Sequence, residues 1–255
     1  MTTAKISGIY RYPVKGLSGE ELDSVSLKAG ECLPGDRAWA IEAGTKKFDA
    51  FAPKYFPKMN FLMLMRDERL AALQTAYDET TGILTIKREG KQVATGNLNE
   101  KLGRQLIEQF FAAYLPDASR GAPKVVHAEG WNFTDVAAKF VSIINLATVR
   151  DIERVAGKPV DAARFRGNIL IDGLEPWEEF NWLDKTLYVE GAPVLEVRER
   201  TTRCAATNVN PDTAERDMTL PRLLSGAFGH MDCGIYVSVA QDCEIKPGDT
   251  VSIQV

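Results

Sequence analysis

Apolar residues in the first third of the chain fall in short runs of the kind that build strands. Ile6-Ser7-Gly8-Ile9-Tyr10-Arg11-Tyr12 is short and aromatic and stops at Pro13. Leu22-Asp23-Ser24-Val25-Ser26-Leu27 alternates apolar and polar positions, the pattern of a half-buried strand. Pro34-Gly35-Asp36 is a turn, and Arg37-Ala38-Trp39-Ala40-Ile41 reads as the strand that leaves it. The fully apolar run at 61–65 predicts a buried strand, and Ile83-Leu84-Thr85-Ile86 follows the turn signal Thr81-Gly82. The period then changes. A helix is expected from an N-cap at Asn97 or Asn99, with Leu102, Leu106, Phe110 and Tyr114 on one stripe, Phe111 beside it, and Pro116 ending the pattern. Residues 116–135 are rich in Pro, Gly, Asp and Asn and carry no period, which marks them as the boundary between two halves.

The second half opens with the strand-like Phe140-Val141-Ser142-Ile143-Ile144. A helix from about Ala147 to Ala156 follows, with Val149, Ile152 and Val155 in register, and Gly157 and Pro159 terminate it. Strands are expected at Asn168–Ile171, Leu187–Val189, Val194–Val197, Gly234–Val239 and Thr250–Val255, with a short helix from Leu220 to Ala227. Many short strands, few helices and turns every ten or so residues predict a mainly β (α+β) chain built as an antiparallel barrel or sandwich. The halves would be 1–118 and 119–255. No Gly-rich phosphate loop follows a strand, so neither a Rossmann nor a P-loop architecture is supported.

Composition narrows the function classes. With 255 residues, 45% of them hydrophobic and 26% charged, the chain can bury a proper core. A formal net charge of −4 gives no basis for broad nucleic-acid binding, although local charge can still hold a phosphate-bearing small ligand. The N-terminus has no secretory pattern and the apolar runs are broken well before membrane-spanning length, so a cytoplasmic protein with no membrane partner is expected. The four cysteines, Cys32, Cys204, Cys233 and Cys243, show no zinc-knuckle, redox-motif or cluster spacing. Two histidines are too few for most polyhistidine metal sites.

Four segments carry candidate chemistry. In Thr201-Thr202-Arg203-Cys204, preceded by Arg200, cations near the cysteine favour the thiolate, the form that binds metals and attacks electrophiles. Thr201, Thr202 and Thr207 add hydroxyls, and Asn208-Val209-Asn210-Pro211-Asp212-Thr213 is a polar turn suited to a pocket mouth. A buried structural cysteine fits the same residues. In Arg164-Phe165-Arg166-Gly167-Asn168 the two arginines project to one side if the segment is extended, their forks match phosphate, and Gly167 lets backbone approach a ligand. Solvated charges at a strand end fit as well. Tyr12-Pro13-Val14-Lys15-Gly16 offers a lysine at a turn, solvated or ligand-binding. Asp36-Arg37-Ala38-Trp39 offers an arginine beside an aromatic, with a surface ion pair of Asp36 as its plainer explanation.

The order of these segments resembles a known family. Tyr12-Pro13-Val14-Lys15, Asp36-Arg37-Ala38-Trp39, Arg164 to Asn168, Thr202-Arg203-Cys204, Asn210-Pro211-Asp212-Thr213 and Ile245-Lys246-Pro247-Gly248-Asp249 are similar to signposts of the MOSC (molybdenum cofactor sulfurase C-terminal) proteins. The resemblance is to members with an N-terminal MOSC β-barrel region, such as the mitochondrial amidoxime-reducing components and their bacterial counterparts. It implies a MOSC-type antiparallel β-barrel at 119–255 and a β-barrel-like region at 1–118. It further implies that Cys204 ligates molybdenum and that Lys15, Arg37, Arg166, Asn168, Thr202, Arg203 and Tyr236 hold a molybdenum cofactor (Mo-molybdopterin). Relatives commonly have Ser where this chain has Gly16, and Pro where it has Gly167. No residue between Trp131 and Phe140 is carried over.

The implied activity is a pyridoxal phosphate-independent oxidoreductase that reduces small N-oxygenated substrates, hydroxylamines and amidoximes. Its electrons are expected from a separate ferredoxin-, flavodoxin- or cytochrome-like protein, because the cysteines cannot ligate an iron–sulfur cluster. A carrier that uses the Cys204 thiolate to hold a sulfur species or the cofactor is the alternative.

Overall fold

The computed structural model describes residues 2–43, 46–117 and 121–253. Seven strands close a barrel: β1 (Thr3–Arg11), β2 (Val141–Asn145), β3 (Ile169–Asp172), β4 (Thr186–Val189), β5 (Ala192–Thr202), β6 (Asp232–Val239) and β7 (Thr250–Ile253). Their order around the barrel is β3-β2-β6-β5-β4-β7-β1, and β1 pairs back onto β3. Every neighbouring pair is antiparallel except β2 and β3, which run parallel. That exception follows from the helix at Leu146–Ala156, which carries the chain from β2 to β3 as parallel strands require. Asn145 caps this helix by accepting from the Ala147 N–H at 3.0 Å, and Gly157 ends it in the left-handed region.

Inward alternation fills the barrel. Ile6, Val141, Ile143, Ile171, Leu187, Val197, Ile235 and Val237 are buried in one cluster with Trp182. The first strand, although it stands far from the others in sequence, supplies Ala4, Ile6 and Ile9 to that core. The expected division at 118/119 lies outside the described residues.

Between β1 and β2 the chain builds a second core. A three-stranded meander, Leu73–Asp78, Ile83–Arg88 and Lys91–Asn97, packs with α1 (Lys101–Tyr114) around Leu73, Leu84, Ile86, Ile107 and Phe111. A strand pair, Trp39–Glu42 with Lys124–His127, completes the layer. The chain is thus mainly β with three α-helices among the described residues, the third at Leu220–Phe228.

Three expectations are corrected. The run at 61–65 is not a strand: Phe61 makes one isolated bridge with Glu42, then the Met63 carbonyl accepts from Arg66 and Asp67 N–H at 3.0 and 3.1 Å and turns the chain. A continuous apolar run has no period to separate a strand from a buried turn. Helix α1 faces inward through Gly103, Ile107 and Phe111, while Leu102 and Leu106 are 66% and 47% exposed. Gly103 decides the face: a Cβ there would meet the Asn97 carbonyl oxygen at 2.1 Å, so only glycine lets the helix lie on that strand. Its N-cap is Glu100, without a side-chain bond, rather than Asn97 or Asn99. Finally, the aperiodic stretch 116–135 contains the strand Lys124–His127, whose partner lies more than eighty residues upstream. Of the last expected strand, residues 254–255 lie outside the described residues. No helix among the described residues is long and apolar enough to cross a membrane.

Candidate functional site

At one end of the barrel a cavity of about 320 Å³ opens between the strand ends and the loops that follow β1. Cys204, Lys15, Arg37, Arg166, Asn168, Thr202, Arg203 and Tyr236 all line it. These residues run from Lys15 to Tyr236 along the chain, and closure of β1 onto β3 is what brings them together. Their side chains nevertheless have different partners.

Several of them hold the frame. The Asn168 carboxamide oxygen accepts from the Ser142 N–H at 3.1 Å and its hydroxyl at 2.9 Å, while its NH2 donates to the Tyr10 carbonyl at 3.2 Å. One buried side chain therefore joins β1, β2 and the start of β3. Arg203 donates through Nε to the Cys233 carbonyl at 2.8 Å and through Nη1 to the Phe165 carbonyl at 2.9 Å. Its guanidinium thus lies along the backbone of β6. Gly234 makes room for it, since a Cβ there would stand 3.3 Å from Arg203 Nη2 and 2.4 Å from the Ile143 carbonyl oxygen. Thr202 donates its hydroxyl to Asp232 at 2.7 Å. Its neighbour Thr201, on the opposite face of the strand, has a buried hydroxyl with no partner and also lines the cavity.

The two arginines of the 164–168 segment do not project together. Residues Ala162–Phe165 form a 3₁₀ turn instead of an extended stretch, and Arg166 closes it at φ 52°. Arg164 turns to Asp217 at 2.8 Å and to the carbonyls of Thr207 and Asn208 at 3.4 and 3.3 Å. Arg166 donates to the Leu17 carbonyl at 2.8 Å and lies 4.2 Å from the centre of the Tyr12 ring, over which Arg37 also sits at 5.0 Å. One nitrogen of Arg166, Nη2, is buried without a partner. Burial, with Arg37 as a second cation nearby, lowers the Arg166 pKa to about 10. Asp36 is not a surface residue: it is buried, accepts from the Tyr12 N–H at 2.8 Å and pairs with Arg37. Burial works against the Arg37 charge, and Asp36 outweighs it, leaving the pKa raised.

Lys15 is 5% exposed, not a solvated turn residue. Its ammonium donates to the Phe133 carbonyl at 2.8 Å and to Asp135. Burial lowers its pKa, against the pull of Asp135. Asp135 takes Lys58 on its other oxygen at 3.2 Å. Desolvation would raise the Asp135 pKa, but Lys15 and Lys58 hold it well below the usual carboxylate range. Lys58 in turn is desolvated, yet Asp135 and Cys204 beside it raise its pKa.

Asp135 and Lys58 are charged site residues that the four sequence segments left out, together with Met63, Leu64 and Met65 of the run at 61–65, which form an apolar wall. Arg216 ties that wall to the cysteine turn. It donates to the Leu64 and Met65 carbonyls at 3.0 Å each and to the Ala205 carbonyl at 3.2 Å, and it pairs with Glu68 at 3.1 Å. The Asn210 loop does not line the cavity: Asn210 accepts from Asp212 and Thr213 N–H within its own turn, and Asp217 serves Arg164. Gly16 sits at φ 84° with its would-be Cβ 2.8 Å from the Leu62 carbonyl oxygen, so a serine there is sterically opposed.

Among the four thiols Cys204 stands apart. Burial pushes Cys32 and Cys233 up to about 12 and raises Cys243, whereas Cys204 is half-buried and faces the cavity. Tyr236 also faces it, its phenol raised by burial against the opposing Arg203 charge. Among the described residues no group of three or more His, Cys, Asp or Glu could hold a metal ion. A metal at this site would take one sulfur from the chain and its other ligands from a bound cofactor. The unpartnered Arg166 Nη2 and Thr201 hydroxyl, within a basic lining, fit a ligand that brings negative charge and hydrogen-bond acceptors.

A family model for the MOSC N-terminal beta barrel domain matches residues 3–118, and one for the MOSC domain matches residues 126–252. Over 93 residues the chain is 34% identical to the molybdenum cofactor sulfurase of Anopheles gambiae. That stretch is 35% of this chain and only 12% of that much longer protein. Among solved structures it is similar to the YuaD protein from Bacillus subtilis, at 12% identity and a TM-score of 0.45, over 98% of this chain and 94% of that one. A further likeness is to YiiM from Geobacillus stearothermophilus, at 19% identity and a TM-score of 0.36, over 45% of this chain and 54% of that one.

Proposed function

The chain belongs to the MOSC family, and from that premise we propose that it binds a molybdenum cofactor through Cys204 and reduces small N-hydroxylated compounds, with electrons from a separate donor protein. The observation that carries the reading is a single accessible thiol on a cavity whose lining is basic and contains a buried guanidinium nitrogen without a partner. Similarity to part of a molybdenum cofactor sulfurase supports the coarser statement, a function related to that cofactor.

On this reading Cys204 supplies a soft thiolate ligand. Arg166, Lys15 and Arg37 provide positive potential for the phosphate and dithiolene of the pterin, and Thr201 and Tyr236 provide hydroxyls. Asn168 and Arg203 act one step back by fixing the strand ends that position Cys204. When bound, the cofactor would supply the two-electron chemistry that converts an N–OH group, two electrons and two protons into N–H and water. The apolar wall of Met63, Leu64 and Met65 would receive the organic part of the substrate and keep water from it.

Protein expressed in a cofactor-competent host should contain about one molybdenum and one pterin per chain. It should reduce hydroxylamine with an artificial electron donor, and Cys204→Ala should abolish both metal content and turnover. Metal-free wild-type protein would sink the proposal. The likeness to a sulfurase favours one other reading, in which Cys204 carries sulfur. A persulfide on Cys204, seen by mass spectrometry in molybdenum-free protein, would select it.

A further inference from the structure

Seven basic side chains line the cavity, and among the described residues they are not equivalent. Lys15, Arg37, Arg164, Arg166 and Arg203 donate to backbone carbonyls or to carboxylates of the frame, and Arg200 lies on the Phe180 ring at 4.3 Å. Arg200 is exposed but held on that ring, and from the five hydrogen-bonded cations Lys58 differs in three ways. Its ammonium has one carboxylate partner, Asp135 at 3.2 Å, which leaves donors to spare. Its side chain is 29% exposed where that of Lys15 is 6%, so it stands on the solvent side of the cavity. It also lies beside Cys204.

Its position is built. Lys58 opens a 3₁₀ turn, Lys58–Asn60, directly after Pro57. Three residues earlier, the Tyr55 hydroxyl donates to the Asp135 carbonyl at 3.0 Å. The segment is therefore fastened to Asp135 at two points, and Lys58 is brought to the cavity that Cys204 lines from outside the barrel. Arg203, the cation next to Cys204 in the chain, is turned onto the Cys233 and Phe165 carbonyls instead.

We propose that Lys58, and not Arg203, is the cation that meets an incoming reactant at Cys204, drawing anionic groups to the sulfur and donating a hydrogen bond to the N–O oxygen of an N-hydroxylated substrate. The substrate part of this assignment rests on the reductase reading; the positive potential at the sulfur does not. The buried cations suit a resident ligand, while Lys58, more exposed, meets what arrives from solvent.

The test separates the two parts. In metal-free protein at low ionic strength, the rate of Cys204 alkylation by anionic iodoacetate is compared with that by neutral iodoacetamide, following the Cys204 peptide by mass spectrometry. The ratio cancels the thiol's own reactivity and reports local charge. Lys58→Met should lower the ratio about fivefold, the scale of a unit charge several ångströms away in a partly screened site. Lys58→Arg should keep it, and Asp135→Asn should raise it. A ratio unchanged by Lys58→Met would overturn the proposal. In molybdenum-loaded protein, Lys58→Met should raise KM for hydroxylamine severalfold, and an unchanged KM and kcat would overturn the substrate role alone. Wild-type protein without molybdenum would overturn the reductase reading and leave the alkylation result standing.

Discussion

The two sides of the cavity are made differently. On the barrel side the polar residues hold one another: Asn168 joins three strands, Arg203 lies along β6, and Arg164 binds Asp217 and the turn after Cys204. On the outer side a turn at 61–65 and the segment leading to Lys58 are fastened by a few contacts, chiefly Arg216 and Asp135. Closed barrels leave no free edge, so their polar groups are consumed in register and closure. Loops laid against such a frame can present side chains that remain available to a ligand. The difference argues that the barrel places the cysteine and the outer wall decides what reaches it.

Removing a frame residue should cost the most. Asn168→Ala leaves the buried Ser142 N–H and hydroxyl without their acceptor, and unfolding in urea should show a loss of roughly 2–4 kcal/mol. A loss below about 1 kcal/mol would mean that the barrel side is no more committed than the wall. Gly16→Ser should come next, at about 1–2 kcal/mol, because the left-handed backbone and the Leu62 carbonyl both oppose a side chain. Its effect should centre on the wall, read as faster hydrogen exchange at 61–66 with β2 and β6 unchanged. Arg216→Ala should cost least, about 1 kcal/mol for a partly exposed cation. It should nonetheless loosen both the wall and the Ala205–Asn208 turn in the same exchange experiment. Exchange spreading into the barrel strands would break the contrast between the two sides.

Much of the frame was legible in the sequence. The short aromatic strand at Ile6–Tyr12, the Gly157 stop and the apolar strands of the second half all depend on neighbours a few residues apart, and they appear where their pattern puts them. The segments around Lys15, Arg37, Arg166 and Cys204 also converge on one cavity. Less legible were the elements whose face or state is set by a distant partner. Helix α1 turned its Gly103 side inward because of close approach to Asn97, and the apolar run at 61–65 became a wall because the Met63 carbonyl closes a turn.

The sequence by itself determined the strand-rich architecture, several of its turns, and the candidate set around a single cysteine, since these are written in short-range period and residue chemistry. Only the tertiary structure decided which candidates are available. A long polar side chain takes whichever carbonyl or carboxylate folding brings within about 3 Å, because a buried donor left unmade is costly. Lys15 finds Asp135 across 120 residues, Arg203 finds the Cys233 carbonyl across 30, and Lys58 arrives at Cys204 from the other half of the chain.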